Sequence, residues 1–179
     1  ALQALPDRYE LKAICTAHEE TARASATAFG VDLAFHDVDA LVAHPDIDLV
    51  VVTMRVPLHY EAVMTALRAG KDVLCEWPMA SNLTQAREMA ALARERGRRG
   101  SLGLQVRSDP TLRYARDLIA EGRIGEVLAA NLSVSIGART ERTLARIWQA
   151  ERAAGANTMT VIDGHALDAL CFILGEFAE

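Results

Sequence analysis

The run Asp48-Leu49-Val50-Val51-Val52-Thr53 constrains this chain more than any other stretch. A strand with one wet face alternates apolar and polar residues. An unbroken β-branched run instead reads as a strand covered on both faces, the pattern of a parallel sheet between helices. Parallel neighbours cannot be joined by hairpins and need long crossovers, usually helical. The flanking sequence supplies them. Leu11 to Cys15 reads as a short apolar strand, and Thr16 to Phe29 as a helix with Ala22, Ala26 and Phe29 on one face, stopped at Gly30. Asp37 to Ala43 is a short helix with Asp37 as N-cap. His59 to Ala69 carries Ala62, Val63, Ala66 and Leu67 at helical spacing and ends at Gly70. Asp72 to Cys75 is the next strand, Leu83 to Arg96 the next helix, and Ser101 to Gln105 a further strand. This alternation predicts a doubly wound α/β domain with right-handed crossovers.

After Arg107 the pattern changes. Pro110 to Ala120 is predicted helical, with Leu112, Ala115, Leu118 and Ile119 on one side, and residues 122–125 form a turn. Leu128, Ala130, Leu132, Val134 and Ile136 then alternate with smaller or polar residues. That strict period of two predicts a strand with one buried face, as in an antiparallel sheet. Residues 137–157 read as an irregular connection, and residues 163–174 as a helix striped by Leu167, Leu170, Cys171 and Leu174. The expected division is 1–107 for the parallel domain and 108–179 for a linker helix and the beginning of an α+β domain. A chain of 179 residues accommodates one compact domain plus part of a second. The first residues read as the end of a helix with no strand before it, and one strand does not make a sheet. The expectation is therefore that structure continues beyond both ends.

Composition narrows the function classes. At 51% hydrophobic and 24% charged residues the chain is too apolar for intrinsic disorder. A net charge of −5 removes the electrostatic case for nucleic-acid binding, and 5% aromatic residues provide few stacking platforms for bases. The cluster Arg94, Arg96, Arg98 and Arg99 reads as a solvated helix end. Cys15, Cys75 and Cys171 are widely spaced, with no C-x-x-C pair, and read as reduced residues of a cytoplasmic protein. Apolar runs fall well short of the ~20 residues of a membrane span, and the first residues lack a basic leader region.

In doubly wound sheets ligands sit outside the carboxyl ends of the strands. Here those ends carry Thr16, Met54-Arg55-Val56, Glu76-Trp77-Pro78 and Gln105-Val106-Arg107. No G-x-G-x-x-G phosphate turn occurs in these residues. His165 and Asp168, three apart on a helix, could share a face, with Asp168 bracing an acid/base His165. Arg107 suits a phosphate, sugar or carboxylate ligand, or equally a structural ion pair. Trp148 and Arg146 fall in the irregular connection, where they could line a sugar pocket.

The segments VVTMRVPLHYEAVMTALRAGKDVLCEWPMA, GLQVRSDP and GANTMTVIDGHALDAL resemble, in order and spacing, those of the Gfo/Idh/MocA oxidoreductases. The resemblance implies an N-terminal NAD(P)-binding Rossmann domain and a C-terminal domain that forms a substrate site and a homo-oligomer interface through its sheet. It also implies cofactor contacts at Met54, Val56, His59, Glu76, Trp77, Pro78 and Gln105, a sugar-like small-molecule substrate, and His165 as catalytic group. Thr16 stands where such folds often place a ribose-binding acid. A neutral side chain there tolerates a 2′-phosphate, so either NAD or NADP is accommodated. Two positions depart from the family pattern. The lysine of its E-K-P motif is Trp77, and the aspartate four residues before the histidine is Val161. Trp77 has no titratable proton to contribute. It could stack on a nicotinamide or sugar ring, or plug the space of a lost lysine. These departures, with E-W-P, H-Y-E and Q-V-R-S-D-P, are similar to the Gal80-like branch, which includes NAD(P)-binding transcriptional regulators. The expected function is an NAD(P)-dependent oxidoreductase acting on a sugar or polyol. The alternative is a catalytically weak Gal80-like sensor.

Overall fold

The computed structural model describes residues 2–135, 152–157 and 159–177. Five short parallel strands alternate with helices: β1 Ala13–Cys15, α1 Glu19–Phe29, β2 Leu33–Phe35, α2 Val38–Ala43, β3 Leu49–Val52, α3 His59–Arg68, β4 Asp72–Glu76, α4 Leu83–Glu95 and β5 Gly100–Gly103. Two helices follow, α5 Pro110–Ala120 and α6 Gly164–Leu174. β1 pairs with β2, and β3-β4-β5 form a second parallel group with Val50 opposite Val73 and Cys75 opposite Leu102. The doubly wound α/β expectation holds in element order and strand direction.

Three of the helices begin at side-chain caps. Asp37, Asn82 and Asp109 accept backbone N–H groups at the starts of α2, α4 and α5, and Pro110 occupies the first turn of α5, where its missing N–H costs nothing. Gly70 stops the chain after α3 at φ +75°, a left-handed conformation open to glycine. The core forms where α2, α3 and α4 cover the strands. Ala66, Leu67, Val52, Val73, Cys75 and Met89 are each at most 3% exposed.

Five sequence expectations are corrected. The short strand β2 went unread, because three apolar residues between a glycine turn and a helix cap carry too little periodicity. α1 starts at Glu19, since Thr16 Oγ1 is held in the preceding turn by the His18 carbonyl and Thr21 Oγ1. Phe29, expected inside, is 53% exposed at the end of α1, while Ala22 and Ala26 are buried. Residues 105–108 form a 3-10 turn, so β5 ends at Gly103. The alternating segment is not a strand over its described residues 128–135, and Leu128 is 88% exposed. A ladder needs a partner to accept its hydrogen bonds, and none lies among the described residues.

β1 and β3 are not hydrogen-bonded to each other. A cleft of about 610 Å³ separates them, lined by Ala13, Ile14 and Cys15 on one wall and Leu49, Val50 and Val51 on the other. Lys12 and Asp46, just before the two strands, approach to 4.0 Å. This side-chain contact brings the amino ends of β1 and β3 near each other. Leu49 and Val51, the residues that made the Asp48–Thr53 run look covered on both faces, are half-buried, whereas Val50 and Val52 are buried in the core.

Candidate functional site

The carboxyl ends of β3, β4 and β5 and the start of α6 converge. The exit of β3 runs through Met54, which is 42% exposed, into a 3-10 turn where Val56 is buried. Between this exit and that of β4 stands His59, the first residue of α3, only 1% exposed. Its Nε2 lies 2.9 Å from the Met54 carbonyl oxygen and its Nδ1 2.9 Å from that of Pro78. A neutral imidazole has one N–H and donates to one of these at a time. The ring is committed to the backbone of the two exits, which tie together the residues expected to meet a cofactor. Cys75 Sγ lies 3.4 Å from His59 Nδ1, and burial, reinforced by Glu76, pushes its thiol up to about 12. It remains a thiol at neutral pH.

Glu76 closes β4 opposite Gly103, and a Cβ at Gly103 would come within 2.6 Å of its Oε2. The missing side chain is what makes room for the carboxylate. Trp77 and Pro78, joined by a cis peptide bond, turn the chain back toward α4. The indole N–H of Trp77 donates to the Thr160 carbonyl at 2.7 Å, and its ring lies 6.4 Å, centroid to centroid, from that of His165. His165 Nδ1 is buried and has no hydrogen-bond partner among the described residues. A polar atom left so costs about 1–3 kcal/mol, so this nitrogen marks a place where a ligand group or water improves the energy.

Arg107 and Asp168, read respectively as a ligand or ion-pair residue and as a brace for His165, pair with each other. The Arg107 Nε donates to both Asp168 carboxylate oxygens, at 3.0 and 2.9 Å, and the guanidinium lies over the Phe172 ring at 5.8 Å. Asp168 is therefore spent on Arg107 and does not brace His165, because the fork geometry of a guanidinium outcompetes one imidazole N–H for a carboxylate. This pair ties the turn after β5 to α6, which is the structural alternative for Arg107. Gln105 is exposed on that same turn, and Thr16 lies at the end of β1. Trp148 and Arg146 lie outside the described residues. Among the described residues no group of His, Cys, Asp and Glu is placed to hold a metal. No described helix is long and apolar enough to cross a membrane. Gly103, Thr160 and Gly164 were missed by sequence reasoning. Of these only Gly164 carried a sequence signal, as a glycine adjacent to His165.

A parallel α/β sheet whose strand exits carry an acid and an indole beside a histidine of α6 has the arrangement of a dinucleotide-binding fold. Residues 1–104 match the family described as the oxidoreductase family with an NAD-binding Rossmann fold, and residues 110–179 match the C-terminal domain of Gal80p. The chain belongs to the Gfo/Idh/MocA family. It is 39% identical over 175 residues to the dehydrogenase aclE of Aspergillus oryzae, spanning 97% of this chain and 48% of that protein. It is 36% identical over 168 residues to 1,5-anhydro-D-fructose reductase of Ensifer adhaerens, spanning 93% of this chain and 50% of that one. Among solved structures, an NAD binding oxidoreductase from Klebsiella pneumoniae superposes with a TM-score of 0.80 at 29% identity, over 97% of this chain and 47% of that one. The chain thus spans about half the length of the curated relatives it matches.

Proposed function

We propose that the chain is part of an NAD(P)-dependent oxidoreductase acting on a sugar or polyol, with residues 1–107 facing the dinucleotide and residues 108–179 beginning the substrate domain. The carrying observation is the meeting of Trp77 and His165 at the β4 exit, with His165 Nδ1 buried and without a partner among the described residues. The dehydrogenase and sugar-reductase relatives support the substrate class. The residues present suit the sugar-and-ring half of a dinucleotide. Glu76 offers a carboxylate to ribose hydroxyls in the space left by Gly103, Met54 offers an exposed apolar contact, and Trp77 a flat wall. When bound, the dinucleotide supplies or takes the hydride. His165 holds the proton that the substrate hydroxyl gains or loses, at a ring nitrogen. Trp77, in the place of the family lysine, orders the site and moves no proton. No phosphate-cradling glycine turn occurs in these 179 residues, so this chain alone binds dinucleotide weakly. Thr16, a neutral group at the end of β1, leaves NADP as acceptable as NAD. The same reading makes the protein cytoplasmic, self-associating through the region after residue 108, and without nucleic-acid contacts.

Titration of the full-length gene product with NADH and NADPH, followed by a sugar and polyol screen, tests this. Binding in the micromolar range is expected, with turnover abolished in His165→Ala; turnover unaffected by that change refutes the assignment of His165. The Gal80-like alternative, a dinucleotide-binding sensor, is favoured by Trp77 itself and by the match of residues 110–179. Binding without turnover on any sugar would select it.

A further inference from the structure

Residues 154–157 and 159–165 border the turn after β4, and two of their glycines meet it where ordinary side chains leave no room. A Cβ on Gly155 would lie 2.4 Å from the Cα and carbonyl oxygen of Ser81. One on Gly164 would lie 2.5 Å from Trp77 Nε1 and 2.9 Å from Cε2 and Cζ2. Real Cβ atoms essentially never approach closer than 3.0 Å. Between the two glycines the Trp77 N–H holds the Thr160 carbonyl. That carbonyl belongs to a stiff turn. Thr160 Oγ1 donates to the Gly155 carbonyl at 2.8 Å, Asn157 N–H donates to Thr160 Oγ1 at 2.9 Å, and Thr160 N–H donates to Asn157 Oδ1 at 3.1 Å. The same turn runs through the π-helical residues Met159–Asp163 directly into α6, whose second residue is His165. Such single π turns are rare and frequent at functional sites.

We propose that Trp77 is the positioning residue for His165. Its N–H fixes the Thr160 carbonyl, and its ring seats on the bare Cα of Gly164, so the first turn of α6 is registered against the β4 exit. Ring size at 77 and the absence of a side chain at 164 are then one device, and changes at the two positions couple. The proposal gives a role to His165's neighbour and so rests on the reading of His165 as the working group, but its test uses no activity.

The full-length protein labelled with 5-fluorotryptophan gives a ¹⁹F resonance for Trp77, assigned by its loss in Trp77→Phe. Gly164→Ala and His165→Ala are expected to shift this resonance. Gly100→Ala, whose new Cβ meets only Ala93 Cβ at 3.8 Å, is expected to leave it in place. Trp77→Phe, which keeps an aromatic ring but loses the N–H, is expected to shift the ring signals of His165. An unmoved Trp77 resonance in folded Gly164→Ala overturns the proposal, as do unmoved His165 signals in folded Trp77→Phe. If both variants fail to fold, the wild type decides. The Trp77 indole N–H should exchange with solvent about tenfold or more slowly than that of free N-acetyltryptophanamide, and equal rates overturn the proposal. Should His165 prove dispensable for turnover while these signals behave as expected, the functional reading fails and the positioning role stands.

Discussion

Replacing His59 probes the join between the strand exits. The ring is 1% exposed and faces the carbonyls of Met54 and Pro78, each at 2.9 Å. Phenylalanine fills most of the same volume and donates nothing. It leaves one of the two carbonyls without its donor, at about 1–3 kcal/mol. The expected loss for His59→Phe is about 1–3 kcal/mol. His59→Ala adds a ring-sized cavity and should lose about 3–5 kcal/mol. Urea unfolding followed by tryptophan fluorescence measures both. The midpoint should fall with an unchanged slope, since the change removes interactions without altering the surface exposed on unfolding. Amide exchange should rise at residues 54–58 and 77–80 before it rises in α4. A loss below about 0.5 kcal/mol for His59→Phe would show that the two carbonyls find other donors or water, and would refute the clamp.

Three further outcomes are expected. The backbone N–H of Arg99, then its side chain, hold the Asp72 carboxyl below the usual carboxylate range. Its contribution to stability is therefore complete above about pH 3.9 and is lost as pH falls through the lowered value; Asp72→Asn should flatten the acid limb of stability against pH, and an unchanged limb refutes this. Cys75, 2% exposed and with its thiol pushed up to about 12, should resist iodoacetamide at pH 8 until urea unfolds the chain, which peptide mass spectrometry can follow. A double-mutant cycle of Arg107→Ala and Asp168→Asn should give a coupling of only about 1 kcal/mol, because the Arg107 side chain is 45% exposed and solvent screens the pair. A coupling near zero would remove the pair as a tie between β5 and α6.

Much of the strand-and-helix order was legible because covered strands and amphipathic helices write their burial into spacing. Pro110 to Ala120 matched the observed α5 at both ends, since Asp109 and Pro110 signal a helix start chemically. β2 was illegible because three residues cannot show a period. The alternation after residue 127 did show one, but period records only which side chains share a face, and a strand also needs a hydrogen-bonding neighbour. At the site, Glu76, Trp77 and His165 were singled out from sequence, and the structure brings Trp77 and His165 together. The partnership of Asp168 was misread toward His165, because a helix places three-apart residues on one face without saying what else approaches that face.

From sequence alone came the family, the parallel α/β class, the strand exits as the place for chemistry, and the replacement of a lysine by Trp77. These follow from local composition and order, which burial and hydrogen bonding imprint along the chain. Only the tertiary structure decided that His59 is spent on two carbonyls, that Arg107 and Asp168 bind each other, and that Gly164 is bare so that Trp77 can lie on it. Those contacts join residues from 61 to 87 positions apart in two cases, Arg107 with Asp168 and Trp77 with Gly164. Competition among donors, acceptors and volumes that meet in space is settled by packing, and no spacing rule along a single chain records its outcome.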